Sequence, residues 1–291
     1  MKELDRRFAT ALKNLCDAPA SMAQRIRLLS GMFETPDVLI FSPAFTTMDI
    51  FRPASLLALT RTHWAVALSS EPTADGTVPS ENISAFASPY SHTLAVGLKI
   101  LLLDGRLAMH AHGNTSTALI VYFNTVMEKI YREAAFFALD QMTAKAYDTG
   151  VEIPGNRNSS ETELPMKFHS ALERFTPPGR TVCCYVAWPA VFGGFYRQLS
   201  PAAMLVRTQH ELILISDEPP AGGFFDGPQQ YFGYVVTYMP LQRIRAASLH
   251  GSGKLITVQI TLTAGDNLES ISILVPSESS SAAVRIANPA L

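Results

Sequence analysis

Apolar residues recur along this chain with two periods, and the period predicts the element. Leu4, Phe8, Ala11, Leu12 and Leu15 form a stripe at helical spacing, which predicts a helix over residues 2–16. Met22, Ile26, Leu29 and Met32 predict a second helix. Ser21 is placed to cap it, and Thr35-Pro36 to stop it, because a residue before proline avoids the α region. Residues 37–43 (DVLIFSP) predict a first strand. Residues 55–69, rich in Leu, Thr, Trp and Val, predict two strands or one long bent strand. Pro79 leads a short strand over 78–86. Leu94, Val96, Leu98, Ile100 and Leu102 alternate, Asp104-Gly105 reads as a hairpin turn, and residues 106–112 return. A helical pattern follows over 116–145, with Ile120, Phe123, Val126, Met127, Ile130, Ala134, Phe137 and Met142 on its apolar face.

Residues 148–163 (DTGVEIPGNRNSSETE) hold few large apolar side chains and read as a linker. The order then restarts. A helix over 164–175 ends at Thr176-Pro177, and a strand over 181–188 ends at Pro189. Residues 204–216 repeat the strand-pair pattern, and 235–244 carry Met239-Pro240. Ile256, Val258, Ile260 and Leu262 alternate, residues 268–275 return, and 277–287 predict a closing helix.

The restart also holds residue by residue. His63, Ser69, Glu71 and Pro72 match His210, Ser216, Glu218 and Pro219 at a spacing of 147. Val78-Pro79 and Ile83 match Met239-Pro240 and Ile244 at a spacing of 161. The alternating residues 96–102 match 256–262 at 160, as Gly105 matches Gly265. An internal duplication is the reading. It divides the chain into N-terminal helices (1–34), a first module with a long closing helix (35–147), the linker (148–163), and a helix plus second module (164–291). The fold class is α+β, mainly antiparallel β.

These motifs resemble the bacterial pleckstrin-homology-like (PH-like) domain family. The residues carrying the resemblance are Leu59-Thr60-Arg61-Thr62, Val78-Pro79 with Ile83, and Asp104-Gly105. In the second half they are Val206-Arg207-Thr208, Met239-Pro240 with Ile244, and Ala264-Gly265. The resemblance covers about residues 35–143 and 177–291. It implies two tandem modules, each a bent β-sandwich or barrel capped by a C-terminal helix. It also implies surfaces for proteins, and sometimes lipid head groups, in place of chemistry.

Composition narrows the function. The formal charge of −2, without a Lys/Arg block, argues against nucleic acid as a partner. No apolar run reaches the ~18 to 20 residues of a membrane span. The N-terminus lacks the apolar core of a signal peptide, so a cytoplasmic location is expected. A phosphoinositide site needs clustered bases, and residues 37–68 and 181–215 offer only Arg52, Arg61, Arg197 and Arg207; peripheral lipid contact stays open. Cys16, Cys183 and Cys184 do not read as a disulfide framework. On a regular strand one of the adjacent pair is expected to be buried and the other outward. A nucleophilic Cys184–His pair lacks a surrounding glycine-rich turn. His110 and His112 share one strand face, the weak metal candidate of the chain; the plainer reading is a polar row facing solvent. His63 and His210 read as framework histidines.

No cofactor motif is present in the sequence, and no catalytic residue is assigned. The expected function is a non-enzymatic scaffold or adaptor that binds another protein or itself. Phe224, Phe225, Tyr231 and Phe232, in a loop of Gly, Pro and Gln, are the candidate partner anchors. Phe136 and Phe137 on the long helix join them. The alternative is a small-molecule or lipid binder, hydrolytic or not, using a barrel or inter-module cavity.

Overall fold

In the computed structural model the chain divides into two units, Met1–Met142 and Thr143–Leu291. The structure describes residues 8–30, 35–47, 50–69, 82–111, 117–144, 165–194, 197–217, 233–265 and 267–288. The predicted linker and the aromatic loop lie outside the described residues. The fold is mainly antiparallel β, with four α-helices among the described residues, and no sheet there closes into a barrel.

Unit 1 begins with β1 (Thr10–Ala11), α1 (Ala20–Ser30), β2 (Val38–Ser42), and the short pair β3 (Phe45–Thr47) and β4 (Ile50–Arg52). Then come β5 (Ser55–Leu59), β6 (His63–Ser69) and β7 (Ile83–Pro89). A 3-10 turn at Tyr90–His92 leads into β8 (Thr93–Leu101), β9 (Asp104–Ala111), β10 (Thr117–Phe123) and α2 (Glu128–Thr143). One sheet runs β1-β2-β5-β6-β7, and β9 pairs with both β8 and β10.

The sequence of β5 and β6 is almost continuously apolar because both faces are covered. Met22, Ala23 and Ile26 of α1 pack with Leu39, Phe41, Leu56, Ala58, Ala65, Ala67 and Ile83 on one face. The three alanines keep that face low, so the helix can lie close. The opposite parity, Leu57, Leu59, Trp64 and Val66, is buried as well. Trp64 Nε1 donates to Thr93 Oγ1 at 2.9 Å, which ties β6 to the start of β8.

Unit 2 contains α3 (Met166–Phe175), β11 (Val182–Trp188), the pair β12 (Val191–Phe192) and β13 (Gln198–Ser200), β14 (Ala203–Thr208), β15 (Glu211–Ser216) and β16 (Tyr234–Pro240). A 3-10 turn at Leu241–Arg243 leads into β17 (Ile244–His250), β18 (Leu255–Ala264), β19 (Asn267–Pro276) and α4 (Ser277–Ala287). Neighbours run β11-β14-β15-β16 in one set and β17-β18-β19 in the other. α4 packs against β11, β14, β17, β18 and β19, burying Ala283, Ile286 and Ala287. α3 buries Phe168, Ala171 and Phe175, and Tyr238 Oη donates to Phe175 O at 3.0 Å.

Four expectations are corrected. No α-helix forms over residues 8–16: Thr10 and Ala11 pair with Phe41 and Ile40, Leu12 N donates to Leu39 O, and only a 3-10 turn follows at Leu15–Asp17. The backbone edge of β2 outcompetes the helical stripe. The expected helix over 116–145 begins as β10, whose β-branched and aromatic residues pair with β9. α2 starts only after Asn124, whose Oδ1 accepts from Val126 N at 3.1 Å. Asp104-Gly105 is not the hairpin turn. Leu102 and Leu103 turn instead, Leu103 at φ 62, and Gly105 sits in β9 opposite Phe123. A Cβ at Gly105 would overlap the Phe123 ring, so the glycine serves close approach. Lastly, the barrel part of the expected architecture gives way to open sheets.

The two units carry their elements in the same order, but in a different register from the sequence matches. Ser55 faces Leu68 as Ala203 faces Ser216, and Leu59 faces Trp64 as Arg207 faces Leu212. Those correspondences stand 148 apart. The histidine match at 147 is one residue out, and His63 corresponds to Glu211. A one-residue slip would turn every side chain to the wrong face. Pro89, opposite His63, corresponds to Pro240, opposite Glu211. Each proline precedes a 3-10 turn. The strand that follows is β8 in one unit and β17 in the other, so the match of β8 to residues 256–262 fell one strand late. With β10 a strand, each unit carries three strands between that turn and its closing helix.

Candidate functional site

The sequence candidates do not converge. Phe136 is buried and Phe137 half-buried on α2. Phe224, Phe225, Tyr231, Phe232 and His112 lie outside the described residues. His110 is half-buried on β9, its register partners being Ala95 and Ala118. Among the described residues no three His, Cys, Asp or Glu groups gather into a metal site. The His63 ring lies 2.9 Å from Thr62 Oγ1, beside the β5–β6 turn.

Three polar clusters are built into the units. In unit 1, Asp104 accepts Arg52 Nε at 3.1 Å and Nη2 at 2.9 Å. The same carboxylate accepts Arg106 Nη2 at 2.8 Å. Tyr122 lies under both guanidinium groups, 4.4 Å from Arg52 and 5.5 Å from Arg106. Arg52 and Asp104 are both buried, so this is an internal ion cluster with one surplus positive charge. In unit 2, Glu211 accepts from Arg180 Nε at 3.1 Å and from Thr208 Oγ1 at 2.7 Å. Thr208 Oγ1 also accepts from the Glu211 backbone at 2.9 Å, as Thr60 Oγ1 accepts from His63 N at 3.1 Å. The threonine pins the same turn in both units.

The third cluster has Arg207 at its centre. It occupies the place of Leu59, and burying a guanidinium there demands partners. Arg207 Nη1 donates to Ile286 O at 3.1 Å and Asn288 O at 2.7 Å, capping the C-terminal end of α4. Across the strand lie the cysteines. The register passes from Val182 opposite Thr208 to Cys184 opposite Arg207, so Cys183 is the extra residue of a bulge. The bulge breaks the alternation that predicts one buried and one outward thiol, and both are half-buried. Burial pushes both thiols above their ordinary range, and the Arg207 guanidinium offsets part of that. Neutral thiols are weak nucleophiles, so the pair is poorly set for catalysis at neutral pH. A lone arginine among Val and Leu in β14 was the signal in the sequence for this cluster.

β11, which carries the cysteines, is an edge strand among the described residues. In unit 1, β2 pairs with β5 on one side and β1 on the other. Its residues Leu39 to Ser42 are all buried. β11 follows α3 as β2 follows α1, but among the described residues it pairs with β14 alone. Val182 through Tyr185 are only half-buried, and the strand (VCCYVAW) carries no charge.

Comparison with known proteins adds no family: no family model matches the chain, and no curated protein matches it.

Proposed function

We propose that the chain is a non-enzymatic scaffold of two tandem PH-like modules that binds another protein. The support is the shared element order: a strand meander, a proline-led 3-10 turn, a three-stranded meander and a closing helix, in each unit. One observation favours a protein over a phosphorylated head group. Of the four bases around the first strand pairs, Arg52 and Arg207 are buried and committed to internal partners. Only Arg61 and Arg197 are exposed, one in each unit. Phosphate recognition needs several cations converging on one ligand.

Affinity capture with the full chain tests the reading, using a Phe224→Ser, Phe225→Ser double variant as control. The expected result is a defined protein retained in stoichiometric amount and lost with the variant, at unchanged melting temperature. Retention of anionic lipid vesicles with no protein captured would overturn it.

A further inference from the structure

We propose that Cys183 and Cys184 bind one Cu(I) ion as a dithiolate pair, with the buried Arg207 guanidinium as its counter-charge. The inference goes beyond the scaffold reading and does not depend on it.

Adjacent residues on a regular strand point to opposite faces and cannot share a ligand. The bulge removes that obstacle. Cys183 and Cys184 together oppose Arg207, so the extra residue is re-aimed toward the face of its neighbour. The electrostatics agree: the Arg207 charge acts on both thiols, and Cys184 also feels Cys183 and Arg285. Cys183 Sγ donates to Thr181 O over a long 3.8 Å, a weak bond to give up.

Arg207 supplies the second observation. Its side chain is buried, its Nη1 bonds go to the neutral carbonyls of Ile286 and Asn288, and its Nε has no hydrogen-bond partner. A buried cation held by neutral acceptors favours a negative charge nearby. Neutral thiols do not provide one. Binding of Cu(I) does: two S–H bonds break, two Cu–S bonds form, both protons leave to solvent and no electron is transferred. The bis-thiolate complex carries a net negative charge.

The ligands select the ion. Unit 2 holds two cysteines and the histidines His169, His210 and His250, and each of these is described. Among the described residues no three His, Cys, Asp or Glu groups gather, so the tetrahedral set that Zn(II) takes is absent there. A pair of thiolates suits a soft monovalent ion such as Cu(I). A disulfide within the pair is disfavoured, because consecutive Cα atoms lie about 3.8 Å apart, against roughly 4.4–6.8 Å in disulfides.

The test is anaerobic titration of Cu(I) into the reduced full chain, in competition with a chromogenic Cu(I) chelator. One ion per chain should be retained, and the melting temperature should rise. Cys183→Ser and Cys184→Ser should each abolish retention, and Cys16→Ser should leave it intact. Arg207→Leu installs the side chain that unit 1 uses at Leu59, and should weaken binding by about tenfold. Zn(II) at the same concentration should not be retained. No retention in the wild type, retention in both serine variants, an Arg207→Leu chain that binds as tightly as the wild type, or equal retention of Zn(II) would each overturn the proposal. Alkylation of the unaltered chain, mapped by mass spectrometry, needs no variant. Bound Cu(I) should shield Cys183 and Cys184 from a maleimide while the exposed Cys16 still reacts. Equal labelling of the pair with and without the ion would overturn the inference. A chain that retains no Cu(I) yet captures a protein partner removes this inference and leaves the scaffold reading standing.

Discussion

Asp104 holds two guanidinium groups on one carboxylate, and removing it strands both. Arg52 is buried, so its charge would be left without a counter-ion in a poor solvent for ions. Asp104→Ala should therefore cost about 3–5 kcal/mol, measured by urea denaturation. A loss under about 1 kcal/mol would mean that the pair behaves as a solvated surface bridge. The sequence could not show this role. Asp104-Gly105 has the composition of a turn, and what distinguishes it is Arg52, a partner from another strand. Arg207 was hidden in the same way. It lay within a motif shared with Arg61, yet its structural counterpart is Leu59, because the true register is shifted. Identity of residue type had suggested equivalence where strand pairing denies it.

At the level of elements, punctuation made the helices legible. α3 stops at Thr176 before Pro177, and α4 spans Ser277–Ala287 as its pattern predicts. β2, β5, β6, β11, β14 and β15 were legible as apolar runs too short for buried helices. β1 was not, because two residues with a helical stripe became a strand only by meeting β2. Nor was β10, whose apolar spacing merges into that of α2 without a Gly or Pro between them. The break is Asn124, a cap recognisable once the strand is known. Gly105 shows the same dependence on a neighbour. Phe123 crosses over it and stacks on Tyr131 with centroids 4.0 Å apart. Gly105→Ala should push that ring pair aside and lower stability by about 1–3 kcal/mol in urea denaturation. Gly265→Ala is a contrast of another kind: it has open space around it, and any cost there comes from its φ of 64.

For the molecule as a whole, order was easier to read than register. The succession of elements repeats across the two units, and the sequence carries it. The pairing that fixes which residues correspond depends on long-range hydrogen bonds that the sequence does not display. Local stability should follow those bonds. In dilute solution, native-state hydrogen exchange should find β14 and β15 among the slowest segments of unit 2, since each is paired on both sides. β11 should exchange faster than them, and faster than β2. Equal protection of β11 and β2 would mean that something shelters the second edge as β1 shelters the first. Arg207 has one more consequence. Its charge is accommodated by carbonyls at Ile286 and Asn288, contributed by α4 and the residue that caps it. A stop codon at Arg285 would thus do more than trim a helix: it would leave a cation in the middle of β14 with its acceptors deleted. Loss of the last turn of α4 would be felt as an electrostatic fault in the interior. Replacing Arg207 with leucine, the side chain its counterpart position already uses, is the natural suppressor of that truncation.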